Sequence, residues 1–194
     1  TRVIGIIACT LAATHSLAQD IRSAFRESKE FKPITLETDI KTSIGVFTSL
    51  SNYTFKPAGV GPFSAVVLMH TCGGVQNPHI REHGRTLLDR GFVVLILDSF
   101  EPRGMKNCSN GVLSTQAGLV DAYAALAFLQ KQDFVDPTKI YQVGYSWGAI
   151  VSTLLASPQS AVLAQSKHRF RATVSNYSNC IYERTYPFVL TDID

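Results

Sequence analysis

The sequence predicts an α/β fold built on a mostly parallel sheet with helices on both faces. Two short runs, at 65–69 and 92–97, are apolar throughout, and a third, at 140–143, is apolar except for Gln142. None of them shows the regular alternation of a strand with one face in water. Strands that are buried on both faces are typical of parallel sheets. Helix-forming segments separate these runs, and this alternation of strands and helices indicates βαβ units.

The segment before the first apolar run predicts an antiparallel edge. Residues 34–55 carry Thr-rich runs with interspersed apolar residues, broken at Ser51 and Asn52, which is typical of a hairpin. After the strand at 65–69, a helix is predicted from about Pro78 to Arg90, where Gly91 ends it.

The second half of the chain continues the same alternation. A helix is predicted over 116–130, because apolar residues recur there at helical spacing, and Asp136-Pro137 is expected to turn the chain into the strand at 140–143. A helix over 149–156 and a strand over 172–177 complete the pattern.

Composition limits the organisation and the partners. A chain of 194 residues with 45% hydrophobic and 17% charged residues suits one globular core. The net charge is only +3 and the Lys and Arg residues are scattered, so we expect no nucleic-acid partner.

The amino end has the features of a secretory signal peptide. Arg2 precedes a mainly apolar stretch at 3–13, and Ser16-Leu17-Ala18 is a small-x-small cleavage pattern. This stretch is shorter than the ~20 residues that span a bilayer, although a first helix or a membrane anchor is the alternative. We therefore expect removal of residues 1–18, a domain over 19–194, a secreted or periplasmic protein, and no stable membrane insertion after cleavage.

The most informative motif is Gly144-Tyr145-Ser146-Trp147-Gly148, which joins a predicted strand to a predicted helix. This is the context of a nucleophile elbow, in which the two glycines avoid clashes that a Cβ would make with the strand or the helix. Ser146 is the candidate nucleophile. The backbone N–H of Trp147 is a candidate oxyanion donor, and Tyr145 is a candidate substrate contact.

A second oxyanion donor is expected in the loop after the strand at 65–69. His70-Thr71-Cys72-Gly73-Gly74 is a Gly-rich loop at the carboxyl end of that strand, where ligands bind in parallel sheets. We favour the N–H of Cys72, with that of Thr71 as the alternative. The competing interpretation is a plain turn between strand and helix.

From about Phe55 to Tyr182 the chain resembles the dienelactone hydrolase family of the α/β-hydrolases. The resemblance lies in the His-x-Cys-Gly-Gly loop, the segment from Asp98 to Gly104, the Val-Asp-Pro approach to the elbow, and Gly-Tyr-Ser-Trp-Gly. Founding members carry a cysteine where this chain has Ser146, and many relatives carry glycine in place of Thr71.

The resemblance implies an α/β-hydrolase fold and hydrolysis of a small-molecule carboxylic ester or lactone through an acyl-enzyme. It implies no metal and no organic cofactor. In α/β-hydrolases the triad runs in the order Ser, Asp or Glu, His. The only histidine after Ser146 is His168, with no acid between them. We therefore expect the acid and the base beyond residue 194, and interpret the chain as truncated, without the C-terminal strands. The alternatives are a non-catalytic binding protein of this fold and an inactive fragment.

The other histidines and Asp98 have structural interpretations. His70 is expected to brace the loop of residues 70–74, the candidate oxyanion loop, by hydrogen bonding. His79 and His83, four apart on a helix, could bind a metal, but a third ligand is lacking and a solvated helix face is favoured. His168 is expected in an exposed basic turn. Asp98 is either a displaced triad acid or, as we favour, a cap of the following loop.

Arg103 and the cysteines leave alternatives open. The Arg103 guanidinium could bind a substrate carboxylate or form an ion pair with Glu101 or Asp98. Removal of the signal peptide would leave Cys72, Cys108 and Cys180 on loops at the catalytic edge. A bond between two of them would connect pocket loops, but the spacing does not say which two.

Overall fold

The computed structural model describes residues 34–36 and 50–178 of the chain. Six strands form one sheet in the order β1-β2-β4-β3-β5-β6: β1 (Ile34–Leu36), β2 (Leu50–Phe55), β3 (Phe63–Met69), β4 (Val93–Leu97), β5 (Val135–Tyr145) and β6 (Ala172–Asn176). The same ranges contain the α-helices α1 (Pro78–Asp89), α2 (Thr115–Leu129), α3 (Trp147–Ala156) and α4 (Pro158–Leu163).

The pairing confirms the predicted α/β fold with its antiparallel amino-terminal hairpin. Strand β3 pairs in parallel with β4 and β5, and β5 pairs in parallel with β6. Strand β1 is antiparallel to β2, and β2 is antiparallel to β4. The carboxyl ends of β3, β4, β5 and β6 therefore lie at one edge of the sheet, where the predicted site residues follow them.

The two faces of the sheet explain the unbroken apolar runs. In β3, Val67 and Met69 belong to the core cluster that includes residues of α2 and α3. Val66 and Leu68, which point the other way, belong to the cluster that includes residues of α1. Helices cover both faces, so neither set of side chains can be polar.

Two sequence-based boundaries were wrong. Ser51 and Asn52 were expected to separate the two strands of the hairpin, but both lie within β2. Asp136-Pro137 was expected to precede the elbow strand, but β5 begins at Val135. The β3–β5 register shifts between the pairs Phe63–Val135 and Ala65–Ile140, so the Asp-Pro pair occupies an irregularity within the strand.

Some predictions lie outside the described residues. These are the signal segment 1–18 and Cys180, together with the rest of 179–194. Across the described ranges, none of the helices combines the length and the apolar character needed to cross a bilayer.

Helices α2 and α3 approach closely at Gly118. A Cβ at this position would lie 2.8 Å from Val151 Cγ2 and 2.9 Å from Trp147 Cζ2. The absent side chain lets α2 pack against the helix that begins at the elbow.

We predict that Gly118→Ala destabilises the protein although alanine favours the helix. Overpacking costs about 1–3 kcal/mol, whereas the gain in helix propensity is about 1 kcal/mol. Urea unfolding should show a smaller loss when the same substitution is made in a Val151→Ala background, which provides space. Equal losses in both backgrounds would contradict the proposed contact.

Candidate active site

Ser146 lies in the sharp turn between β5 and α3. Its backbone has φ 52° and ψ −108°, which is outside the regions that L-residues ordinarily occupy. Such strain persists only where the surrounding structure imposes it, and it is concentrated at functional sites. The side chain is half-buried.

The glycines of the motif are required by close backbone contacts. A Cβ on Gly144 would lie 2.0 Å from the carbonyl oxygen of Gly148, at the start of α3. A Cβ on Gly148 would lie 2.7 Å from the carbonyl oxygen of Met69, at the end of β3. A side chain at either glycine would therefore clash with the backbone, as the sequence predicted.

Hydrogen bonds hold the elbow between the neighbouring strand ends. The Ser146 N–H donates to the carbonyl of Asn176 at 3.1 Å, at the end of β6. The Gly148 N–H donates to the carbonyl of His70 at 3.2 Å, directly after β3. These two bonds set the position of the serine relative to the loop that follows β3.

Two backbone N–H groups are candidates for binding an oxyanion. Trp147 is the first residue of α3, where helix N–H groups lack an intrahelical partner. Cys72 lies in the loop after β3. Within residues 50–178, neither the Trp147 N–H nor the Cys72 N–H has a hydrogen-bond acceptor. Both therefore remain the predicted donors. The Thr71 N–H stays the alternative donor. The Thr71 carbonyl and hydroxyl hold the loop by accepting from the N–H groups of Gly74 and Gly73.

His70 braces this edge of the sheet, as the sequence predicted. Its buried ring donates from Nδ1 to the Thr71 carbonyl at 2.7 Å, and Nε2 accepts from the Ser99 N–H at 3.2 Å. This pattern requires a neutral ring. Burial lowers the pKa of His70, against the opposing effects of the Thr71 carbonyl and of Asp98, whose carboxylate lies 3.8 Å from Nε2.

Asp98 caps the loop after β4. Its Oδ1 accepts from the N–H of Phe100 at 2.9 Å and from that of Glu101 at 3.1 Å. The favoured interpretation of Asp98 as a structural cap is confirmed.

Arg103 forms an ion pair that sequence reasoning did not find. Its guanidinium donates to both carboxylate oxygens of Asp121, at 2.8 and 2.9 Å, and to the Ser99 carbonyl. Asp121 was not among the partners that the sequence suggested, which were Glu101 and Asp98. Burial raises the pKa of Asp121 to about 6, although Arg103 opposes this shift. The sequence signal that could have indicated this pair is Asp121, the one carboxylate in the mainly apolar helix α2. This geometry favours a loop-fixing role for Arg103 over substrate binding, for which Arg103 was also a candidate.

The cysteine pairing left open by the sequence is resolved for two residues. Cys72 and Cys108 form a disulfide, which joins the loop after β3 to the loop between β4 and α2. The bond connects two loops at the carboxyl edge of the sheet, and one of its cysteines, Cys72, carries a candidate oxyanion donor.

Tyr145 lies between two other rings. It is 4% exposed, and its ring centroid lies 4.9 Å from that of His83 and 6.1 Å from that of Tyr177. Burial raises the pKa of Tyr145 and lowers that of His83. Its predicted contact with substrate stays a prediction.

The two remaining histidine sites agree with their structural interpretations. His79 and His83 are exposed on α1, as expected for a solvated helix face, although one face of the His83 ring stacks on Tyr145. His168 is exposed in a turn, where its N–H donates to Ser166.

Comparison with known proteins identifies the family. The dienelactone hydrolase family model matches residues 50–179, which contain the elbow and both candidate donors. The chain belongs to the dienelactone hydrolase family. A search of curated protein sequences found no match.

Solved structures share the fold of this dienelactone hydrolase family member at low identity. A Klebsiella pneumoniae subsp. pneumoniae protein, provisionally named a dienelactone hydrolase, is 18% identical with a TM-score of 0.55. The alignment covers 76% of this chain and 61% of that protein. The 2,6-dihydroxy-pseudo-oxynicotine hydrolase is 17% identical with a TM-score of 0.51, over 70% of this chain and 36% of that hydrolase. The chain therefore spans less than two thirds of either protein.

We predict that Ser146→Gly increases stability. Glycine relieves a backbone strain of about 1–3 kcal/mol, and this gain exceeds the 0.5–1 kcal/mol that glycine typically costs in chain entropy, roughly. Ser146→Ala keeps the strain and is the matched control, with nearly unchanged stability. Denaturant unfolding of both variants measures the difference. A glycine variant less stable than the alanine variant would show that the turn is not strained.

We predict that buried neutral His70 makes stability fall in mild acid. Its pKa is lowered from 6.5 in the fold, so below pH 6.5 the unfolded chain binds more protons and the free energy of unfolding decreases. The raised pKa of Asp121 has the opposite effect below about 6, so the difference between the wild type and His70→Gln should be measured. This difference should decrease from pH 7 to pH 5. A constant difference would contradict the neutral ring.

Proposed function

We propose that this member of the dienelactone hydrolase family is a serine hydrolase that cleaves carboxylic esters or lactones. The observation that carries the proposal is the strained Ser146, held at the carboxyl edge of the sheet beside the Trp147 N–H. A strand-turn-helix nucleophile with the following N–H free to bind an oxyanion suits acyl transfer.

In the proposed reaction, Ser146 Oγ attacks the substrate carbonyl carbon. The base takes the proton of the Ser146 hydroxyl in this step, and the N–H groups of Trp147 and Cys72 bind the oxyanion that forms. The ester or lactone C–O bond then breaks, and the departing alcohol oxygen takes the proton from the base, which leaves an acyl-enzyme. Water hydrolyses this intermediate and releases the acid. Each oxyanion donor of this kind is typically worth about 10²–10³ in turnover.

The base must be a residue other than His70. Both ring nitrogens of His70 already have backbone partners, and protonation of the ring would remove the acceptor for the Ser99 N–H. We propose that an acid and then a histidine complete the triad, in the chain order of this superfamily.

A secreted or periplasmic location accompanies this proposal. The Cys72–Cys108 bond supports it, because disulfides persist in oxidising compartments. The predicted signal segment 1–18 supports the same location.

We predict that Ser146→Ala in the full-length protein abolishes hydrolysis of p-nitrophenyl esters. Loss of a serine nucleophile typically lowers kcat by about 10⁶. A fluorophosphonate probe should modify Ser146 of the wild type, as located by peptide mass spectrometry. Ser166→Ala, which changes a half-buried serine in the turn before β6, is the control and should keep both ester hydrolysis and reaction with the probe.

The non-catalytic alternative predicts a different outcome. If the folded wild type neither hydrolyses esters nor reacts at Ser146, the elbow belongs to a binding protein of this fold. Modification of a different serine would also contradict the proposed nucleophile.

A further inference from the structure

The loop of residues 104–114, between β4 and α2, contacts the oxyanion loop at several points. Cys108 is bonded to Cys72 through the disulfide. The Cys108 N–H also donates to the Cys72 carbonyl at 2.9 Å. Cys72, whose N–H is a candidate oxyanion donor, is therefore held through both its side chain and its carbonyl.

The two loops also touch at Gly74. A Cβ on this residue would lie 2.5 Å from the carbonyl oxygen of Lys106, and Gly74 has a φ of +73° that favours glycine. The Gly74 N–H donates to the Thr71 carbonyl, which closes the turn that contains Cys72. The 104–114 loop thus packs directly against this turn.

The same loop reaches the second candidate donor. The indole Nε1 of Trp147 donates to the carbonyl of Leu113 at 2.8 Å. Residues at two points of one loop therefore contact Cys72 and Trp147, the two residues whose N–H groups are proposed to bind the oxyanion.

We propose that the Cys72–Cys108 disulfide positions the Cys72 N–H for catalysis, so that its reduction lowers the rate of ester cleavage without unfolding the protein. The inference rests on the proposed serine hydrolase function. Cys72 contributes its backbone N–H to the site, whereas Cys108 is a positioning residue that acts through Cys72. The packing of Gly74 and the bond to Leu113 remain after reduction, so the loop is loosened but not released.

Reduction requires an external dithiol. Its thiolate attacks one sulfur of the disulfide, which breaks the S–S bond and gives a mixed disulfide. The second thiol of the reagent then displaces the protein thiol. In the balanced reaction, the protein disulfide gains two electrons and two protons, and the dithiol is oxidised to a cyclic disulfide.

The test compares the oxidised full-length protein with the same protein reduced by dithiothreitol. Complete loss of an oxyanion donor costs about 10²–10³ in turnover, so a displaced donor should lower kcat by about 10-fold or more and leave KM nearly unchanged. Affinity for a trifluoromethyl ketone, whose serine adduct carries an oxyanion, should fall in parallel. Reoxidation should restore both values, and circular dichroism should show a folded protein throughout.

A Cys72→Ala/Cys108→Ala double variant separates this disulfide from other thiols. It should match the reduced wild type in kcat and should not respond to dithiothreitol. Asn107→Ala, which removes only a hydrogen bond to the Ser109 N–H within the 104–114 loop, is the control and should keep kcat. If the double variant does not fold, the Cys108→Ala variant replaces it. Its kcat is then compared with that of the wild type before reduction, after reduction and after reoxidation.

The outcomes distinguish this inference from the proposed function. Ser146-dependent hydrolysis with an unchanged kcat after reduction would overturn the positioning role and leave the hydrolase intact. A lower melting temperature with unchanged kcat and unchanged ketone affinity would assign the disulfide to stability alone and would also overturn it. Absence of Ser146-dependent hydrolysis in the oxidised protein would overturn both.

Discussion

The hydrogen bond from the Gly148 N–H to the His70 carbonyl is the contact on which the site depends. It brings the start of α3 against the end of β3, and this approach is possible only because Gly148 has no Cβ. The same approach imposes the unusual backbone of Ser146, since the chain must reverse between β5 and a helix that is held this close. Strain at the serine is thus a consequence of packing at its neighbours.

His70 extends this constraint to a third strand. Its ring accepts the Ser99 N–H at the end of β4 and packs near Phe100 and Trp147, at centroid distances of 4.3 and 5.3 Å. A buried imidazole that satisfies two backbone groups avoids the cost of leaving them unpaired. Because the Ser146 N–H also binds the end of β6, four strand ends are linked around Ser146.

The sequence predicted the local features of this site well and the long-range ones poorly. The elbow, its glycines and the apolar strands follow from period and residue type, which are properties of adjacent residues. The Arg103–Asp121 ion pair joins residues 18 apart on different elements, so spacing could not reveal it. Asp136 shows a different limit of sequence analysis. Asp-Pro is typical of a turn before a strand, but Val135 already pairs with β3, so Asp136 lies within β5.

The most direct test of the account is a crystal structure of the full-length protein after reaction with a fluorophosphonate. We predict phosphorus bonded to Ser146 Oγ, with the phosphoryl oxygen within about 2.7–3.1 Å of the Trp147 and Cys72 nitrogens. A phosphoryl oxygen that faces solvent, or an adduct on another residue, would contradict the claim that the elbow and the oxyanion loop form one catalytic site.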